Sequence, residues 1–224
     1  MRYFGKLLKW LKRALLGLLL LFVLSLAAFR FFPVPITIYQ ALEWHRLGEI
    51  KHEWVPASDI APVMLRSVVA AEDAKFCQHW GFDMEALRLA VEGGMRRGGS
   101  TISQQTAKNV YLFQGRNWGR KAAEALLTPL IELAWSKQRI VEVYLNVIEF
   151  DEGVFGVQAA SQHYFGVTAA ELSPVQAARL AAVLPNPKDR SASRPTAFLR
   201  KRAASIMDGA ETIRRDGRAD CFSG

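Results

Sequence analysis

Apolar residues run without a charge from Ala14 to Phe29 (ALLGLLLLFVLSLAAF). As a helix this stretch rises roughly 24 Å at about 1.5 Å per residue, a little short of a ~30 Å hydrocarbon core. Apolar character resumes after Arg30 with Phe31, Phe32, Val34, Pro35 and Ile36. Arg30 can snorkel to the membrane interface and the aromatic rings can sit there. Arg2, Lys6, Lys9, Lys12 and Arg13 precede the run and no acid occurs before Glu43. The pattern therefore predicts a cytoplasmic basic tail over 1–13, a single transmembrane anchor over 14–32 and everything after it outside. A cleaved signal peptide has a similar profile, with Ser25-Leu26-Ala27 as a small-residue cleavage site. The apolar run that continues past any such cut favours the anchor.

Residues 33–57, with Pro33, Pro35 and Pro56, read as an irregular linker. A helix-rich domain is predicted over 58–215, followed by a tail over 216–224. Ser58 is a candidate cap for a helix to about Ala71, with Pro62 in its first turn. Residues 83–96 are helical by pattern, through Met84, Leu87, Leu89, Ala90 and Val91, and Arg96-Arg97-Gly98-Gly99 breaks the helix. Thr101-x-x-Gln104 is a capping box that opens the next helix. Residues 118–135 form another, with Pro129 a candidate kink. Ser136 caps a helix carrying Ile140, Val143, Tyr144 and Val147 inward. Ser173-Pro174 opens a helix ending before Pro185, and a last one covers about 196–215. No segment alternates cleanly like a strand.

The 224 residues, half of them hydrophobic, suffice for one globular domain with a core plus a short appendage. The formal net charge of +8 invites a nucleic-acid reading, but its distribution opposes one. From residue 31 onward 23 Lys and Arg face 21 Asp and Glu, so the excess sits at the N-terminus, where a membrane would use it. No basic stripe with interleaved aromatics is present, and no nucleic-acid partner is expected. Cys77 and Cys221 lack metal-type spacing; one disulfide in an exported domain and two free thiols both stay open.

Four stretches carry candidate chemistry. In the first, Glu72 and Asp73 end an apolar helix, where the dipole, an apolar wall and the neighbouring acid each raise a carboxylate pKa. Such a group serves as a general acid or base; two exposed surface acids are the bland alternative, and His79 reads as a structural hydrogen-bonding histidine. In the second, Gly98-Gly99-Ser100 feeds a helix with an unusually polar, carboxylate-free face (Gln104, Gln105, Lys108, Asn109). Free backbone N–H groups and partial positive charge there suit phosphates and sugar hydroxyls. It lacks the Gly-Lys-Ser/Thr ending of a P-loop. In the third, Arg116, Arg120 and Lys121 form a cationic cradle for a pyrophosphate, with Glu124 orienting the cations or holding a divalent metal. An ordinary surface ion-pair network is the alternative. The fourth, Lys137 to Asn146 (KQRIVEVYLN), reads mostly as core packing.

Taken in order, these blocks resemble glycosyltransferase family 51, which includes the monofunctional peptidoglycan transglycosylases and the polymerase domain of class A penicillin-binding proteins. The resemblance covers roughly residues 58–210. It rests on Glu-Asp-x-x-Phe-x-x-His-x-Gly at Glu72 to Gly81, Gly-Gly-Ser-Thr-Ile-Ser-Gln-Gln-x-x-Lys-Asn at Gly98 to Asn109, Arg-Lys-x-x-Glu at Arg120 to Glu124, and Lys-x-x-Ile-x-Glu-x-Tyr-Leu-Asn at Lys137 to Asn146. Four ordered motifs are highly specific. The acidic Phe150-Asp151-Glu152-Gly153 stretch departs from the family pattern.

The resemblance implies a mainly α fold: a lysozyme-like helical head with a small membrane-proximal lobe that includes Val110, Tyr111, Leu112 and Phe113, preceded by one transmembrane helix. It implies polymerisation of lipid II onto a growing glycan chain, with Glu72 as general base and undecaprenyl pyrophosphate released with inversion. Ser100, Lys108, Arg116, Lys121 and Glu124 would line the donor site, with Gln104, Gln105 and Asn109 on the helix of Lys108 and Arg120 in the cradle. A Mg or Mn ion at Glu124, no organic cofactor, an inner-membrane location with the catalytic domain periplasmic, and contacts with other cell-wall synthesis and division proteins are further expectations. Neither Ser-x-x-Lys nor Lys-Thr/Ser-Gly occurs, which implies no transpeptidase half. A glycan-cleaving lysozyme-like enzyme needs no pyrophosphate cradle, and a non-catalytic assembly factor has no use for Glu72 or Glu124.

Overall fold

The computed structural model describes residues 2–92, 99–115 and 117–222. Arg116, and Arg96, Arg97 and Gly98 of the expected helix break, lie outside the described residues. The chain divides into two compact units, Met1–Pro33 and Val34–Gly224. The first is one helix, α1 (Arg2–Ala28), which begins within the basic tail. Its Lys9–Ala28 stretch is the one helix among the described residues long and apolar enough to cross a membrane.

The second unit is mainly helical, which bears out the expected class. It holds α2 (Ile38–Leu47), α3 (Pro62–Glu72), α4 (Met84–Glu92), α5 (Ile102–Tyr111), α6 (Trp118–Ala134), α7 (Lys137–Val147), α8 (Val157–Phe165), α9 (Pro174–Val183) and α10 (Ala197–Arg215). With α1 these make ten α-helices among the described residues. The α3 helix packs against α9 and α10, and α5 packs against α6 and α7. Met64, Val68, Val69, Leu180 and Ile206 fill the first contact, while Ile102, Ala107, Ile131, Ile140 and Tyr144 fill the second. Removing the larger of these side chains, the Met, Val, Leu and Ile, from water stabilises the fold by roughly 1.5–3 kcal/mol each.

Caps set most boundaries where the sequence places them. Thr101 and Gln104 form the capping box of α5, Ser136 caps α7 through Arg139 N, Ser173 and Gln176 box α9, and Thr196 caps α10. The α6 helix runs through Pro129 without interruption. Three expectations fail. Ser58 caps nothing: it sits in a 3-10 turn at Ala57–Asp59, and α3 starts at Pro62 behind Ala61 with no side-chain cap. The expected irregular linker contains α2, closed by a Thr37/Gln40 capping box and by Gly48 in the left-handed region. Finally, β1 (Lys51–His52), β2 (Glu149–Asp151) and β3 (Val154–Phe155) make a small sheet, order β1-β3-β2. In it β1 runs parallel and β2 antiparallel to β3, so the acidic departure stretch is a β2–β3 hairpin. Strands of two or three residues are too short to show an alternation.

Two helices are turned inside out. In α2 the buried side chains are Gln40 and Glu43, while Ile38, Leu42 and Trp44 are exposed. In α6 the buried face carries Glu124, Thr128 and Glu132 beside Ile131, and Trp118, Leu126, Leu130 and Leu133 face out.

Candidate active site

The site grows from the junction of α3 and α5. Asp73, the C-cap of α3, is buried and accepts from the backbone N–H of Ile102 at the start of α5, at 3.0 Å. A carboxylate at a helix N-terminus is favoured by unpaired N–H groups and the dipole. Its other oxygen lies 2.8 Å from His79 Nε2, so His79 has the structural role expected of it. The segment after Asp73 is fixed at several points. Phe76 is fully buried, Lys137 Nζ lies 4.2 Å above its ring and donates to the His79 carbonyl, and the Thr101 hydroxyl donates to the Gly81 carbonyl. Gly81 has φ +87°, and a Cβ there would meet Thr128 Cγ2 at 2.7 Å, so only glycine fits.

Cys77 and Cys221 are joined in a disulfide, which settles the alternative left open by the sequence. The tail around Cys221 continues the brace: Phe222 is fully buried against Phe76, and Arg218 donates to the Ala74 carbonyl. A separation of 144 residues carries no pairing signal in the sequence.

Glu72 sits at the last position of α3, half-buried rather than an exposed surface acid. Gln105 Nε2 donates to its Oε2 at 2.9 Å. Loss of water raises the Glu72 pKa above its ordinary value; the Gln105 bond, Arg202 and Lys108 pull it down, and Asp73 pushes it up. Arg202 arrives from α10, donating to the Ala71 carbonyl at 3.4 Å, and was missed by motif reading because it lies in an otherwise ordinary basic stretch.

The second cluster centres on Glu124, 2% exposed. Arg120 donates to Glu124 Oε2 at 2.9 Å, and Lys121 Nζ pairs with Oε1 and donates to Ser100 Oγ at 2.9 Å. Ser100, Gln104 and Lys121 line one pocket with Gly99, Phe82, Asp83, Leu87 and Ala90. Lys108 joins the two clusters: Glu124 and Glu72 both hold up its pKa, but burial outweighs them and lowers it. Lys108 is half-buried and lies within electrostatic reach of both carboxylates. The structure thus brings together Glu72 and Gln105 at one end and Ser100, Arg120, Lys121 and Glu124 at the other, with Lys108 between.

Two other candidates also serve the scaffold. The Gln104 amide oxygen accepts from Thr101 N at 3.0 Å, completing the α5 cap. Asn109 donates to the Gln105 carbonyl and accepts from Gln114. Of the fourth motif, Lys137 and Glu132 pair at 2.7 Å, Asn146 clamps Val55 through both its N–H and C=O, and Ile140, Val143, Tyr144 and Val147 are buried as expected. Val141 and Leu145 are equally buried, so α7 is enclosed rather than amphipathic.

No group of three or more His, Cys, Asp or Glu side chains among the described residues converges as metal ligands would. Both Glu124 oxygens are engaged by Arg120 and Lys121, so a cation there would have to displace one of them. The donor set present does not fit a protein-held divalent ion.

A desolvated carboxylate near a string of cations can in principle accept a proton beside a site that favours an anion. The transglycosylase family model matches residues 40–211, beginning inside α2. A biosynthetic peptidoglycan transglycosylase of Jannaschia sp. (strain CCS1) is 57% identical over 215 residues, covering 96% of this chain and 90% of the relative. Its counterpart in Caulobacter vibrioides is 46% identical, covering 96% and 99%, and that of Rhodospirillum centenum 45%, covering 97% and 96%. The chain belongs to the transglycosylase family.

Proposed function

We propose that this enzyme polymerises lipid II into glycan strands at the outer face of the membrane, with Glu72 as the general base. That it is a peptidoglycan glycosyltransferase follows from its family and from relatives similar over nearly their whole length. Glu72 takes the proton of the acceptor sugar 4-hydroxyl, the freed oxygen forms a bond to the anomeric carbon of the growing chain, and the carbon–oxygen bond to undecaprenyl pyrophosphate breaks with inversion. The observation that carries this reading is geometric: Glu72, bonded on one oxygen by Gln105, faces a site where Arg120 and Lys121 are gathered on Glu124 and Ser100. A base must be unprotonated near neutrality yet still basic, and a pyrophosphate leaving group needs fixed positive charge where its own charge develops. Ser100, Lys108, Arg120 and Lys121 are the groups for that pyrophosphate, and Arg116 joins them by family resemblance alone. Glu124 orders Arg120 and Lys121. A Mg or Mn ion, if one takes part, would need oxygen ligands beyond Glu124, whose two oxygens are already paired.

Three features support the location. The basic N-terminal flank keeps that end cytoplasmic. The disulfide suits an oxidising compartment. The outward apolar side chains Phe113, Trp118, Leu126 and Leu133 suit a lipid surface beside a lipid-linked substrate. Of the residues the resemblance assigns to a membrane-proximal lobe, Phe113 is exposed and Val110 is buried. Contacts with other cell-wall synthesis and division proteins rest on the family resemblance alone.

The test is polymerisation of labelled lipid II by the detergent-solubilised full-length protein, with and without moenomycin, the phosphoglycolipid inhibitor of the family. Long strands that vanish with the inhibitor are expected. Cleavage of preformed glycan without polymer would overturn the reading in favour of a hydrolase.

A further inference from the structure

We propose that Tyr144, buried in α7 and outside the reacting groups, is a positioning residue that sets the orientation of the Gln105 amide and thereby the hydrogen bond received by Glu72. The inference rests on Glu72 being the base. The Tyr144 hydroxyl donates to Gln105 Oε1 at 3.1 Å, and Gln105 Nε2 donates to Glu72 Oε2 at 2.9 Å. The three side chains come from α7, α5 and the end of α3, so the relay crosses three packed helices.

A carboxamide can turn over and exchange its oxygen for its nitrogen. Turned over, Gln105 would set an oxygen against the Glu72 carboxylate and lose a charge-assisted bond. Something must hold the productive face, and a phenol that stays protonated does so. Tyr144 is 1% exposed, and burial, with Glu72 and Asp73 nearby, holds its ionisation well above the ordinary range. It is therefore a standing donor at every pH where the enzyme works, and a donor selects the amide oxygen. The bond that Gln105 then gives to Glu72 opposes the effect of desolvation on that carboxyl.

The other charged groups facing Glu72 are Arg202 from α10, Lys108 from α5 and the adjacent Asp73. Substitution at 144 or 105 removes none of them, which makes the relay separable from the rest of the field. Asn109 Nδ2 donates only to the Gln105 backbone carbonyl, so it leaves the Gln105 side-chain amide free to turn.

The experiment measures kcat and KM against pH for the full-length enzyme, Tyr144→Phe, Gln105→Leu, the double variant and Glu72→Gln, with the unfolding temperature of each. In Tyr144→Phe and Gln105→Leu the acid limb of kcat should move to higher pH, with kcat on that limb down about tenfold, the equivalent of one charge-assisted hydrogen bond. The KM for lipid II should hold. The double variant should match Gln105→Leu alone, because one relay can be cut only once. An unmoved limb in folded Tyr144→Phe, or a double variant that loses the product of the two single effects, overturns the inference. Should Tyr144→Phe fail to fold, Gln105→Leu reads the same bond from a half-buried position, and an unmoved limb there overturns it equally. Full turnover by Glu72→Gln would instead sink the base assignment itself.

Discussion

Glu72 and Glu124 are two glutamates in one site, and the structure treats them in opposite ways. Glu124 has both oxygens committed to cations, one on Arg120 and one on Lys121. Glu72 has lost water and received only a neutral amide on one oxygen, with Arg202 and Lys108 acting at a distance. A carboxylate with both oxygens in ion pairs is a fixture that holds its partners in place. A desolvated and underpaired one has little to lose on protonation and is fit to act as a base. Residue type is the same at both positions; the surroundings assign the role.

That contrast can be broken at several points. The largest effect is expected from Glu72→Gln, which keeps the shape and removes the proposed base. It should lower turnover of lipid II about 10²–10⁴-fold, and near-normal turnover by the folded variant would erase the distinction between the two glutamates. Next comes Glu124→Gln, which leaves Arg120 and Lys121 without their counter-charge. Removing one partner of a buried ion pair costs about 3–5 kcal/mol, discounted here because the Lys121 side chain is 41% exposed. Thermal unfolding in detergent should drop by several degrees and the donor KM should rise; an unchanged melting temperature would mean that Glu124 is not the fixture described. Cys221→Ser sharpens the comparison further, because the disulfide braces the segment after Asp73 and not the Glu124 cluster. Stability should fall by about 2–4 kcal/mol and kcat should fall while the donor KM holds. A loss in KM alone would place the brace's effect at the wrong end of the site.

The smallest effect concerns pH. The folded-state pKa of Glu72 lies above its ordinary value of 4.5, so its contribution to stability is present below that value and is lost as pH rises through the raised one. Glu72→Gln lacks this loss. The variant should therefore unfold at a slightly higher temperature than the parent at pH 8, with the gap closing towards pH 4. A gap that widens on acidification would contradict the direction of the shift.

The chemistry was legible in the sequence where it is local. The α5 cap, the polar face of Gln105 and Lys108, and the Arg120–Lys121–Glu124 spacing all lie within one or two turns, where helical periodicity places neighbours reliably. What was missed depends on the rest of the fold. The α2 helix hid because its buried side chains are Gln40 and Glu43, so a search for apolar periodicity finds the wrong face or none. Tyr144 reads as core and is core; its hydroxyl gains meaning only once α7 is laid beside Gln105. Arg202 and Cys221 act on the first motif from well over 100 positions away, a distance over which no spacing rule operates.

The packing of α3 has a consequence for how the enzyme comes into being. Its partners α9 and α10 begin at Pro174 and Ala197, so the helix that carries Glu72 cannot find its seat until those later segments have been made. Contacts of such long sequence separation form late and slowly. A chain stalled or clipped before α9 would have most of its cation cluster and no settled place for Glu72. Partial products of synthesis are therefore expected to be inert rather than weakly active, and the catalyst exists only as a finished molecule.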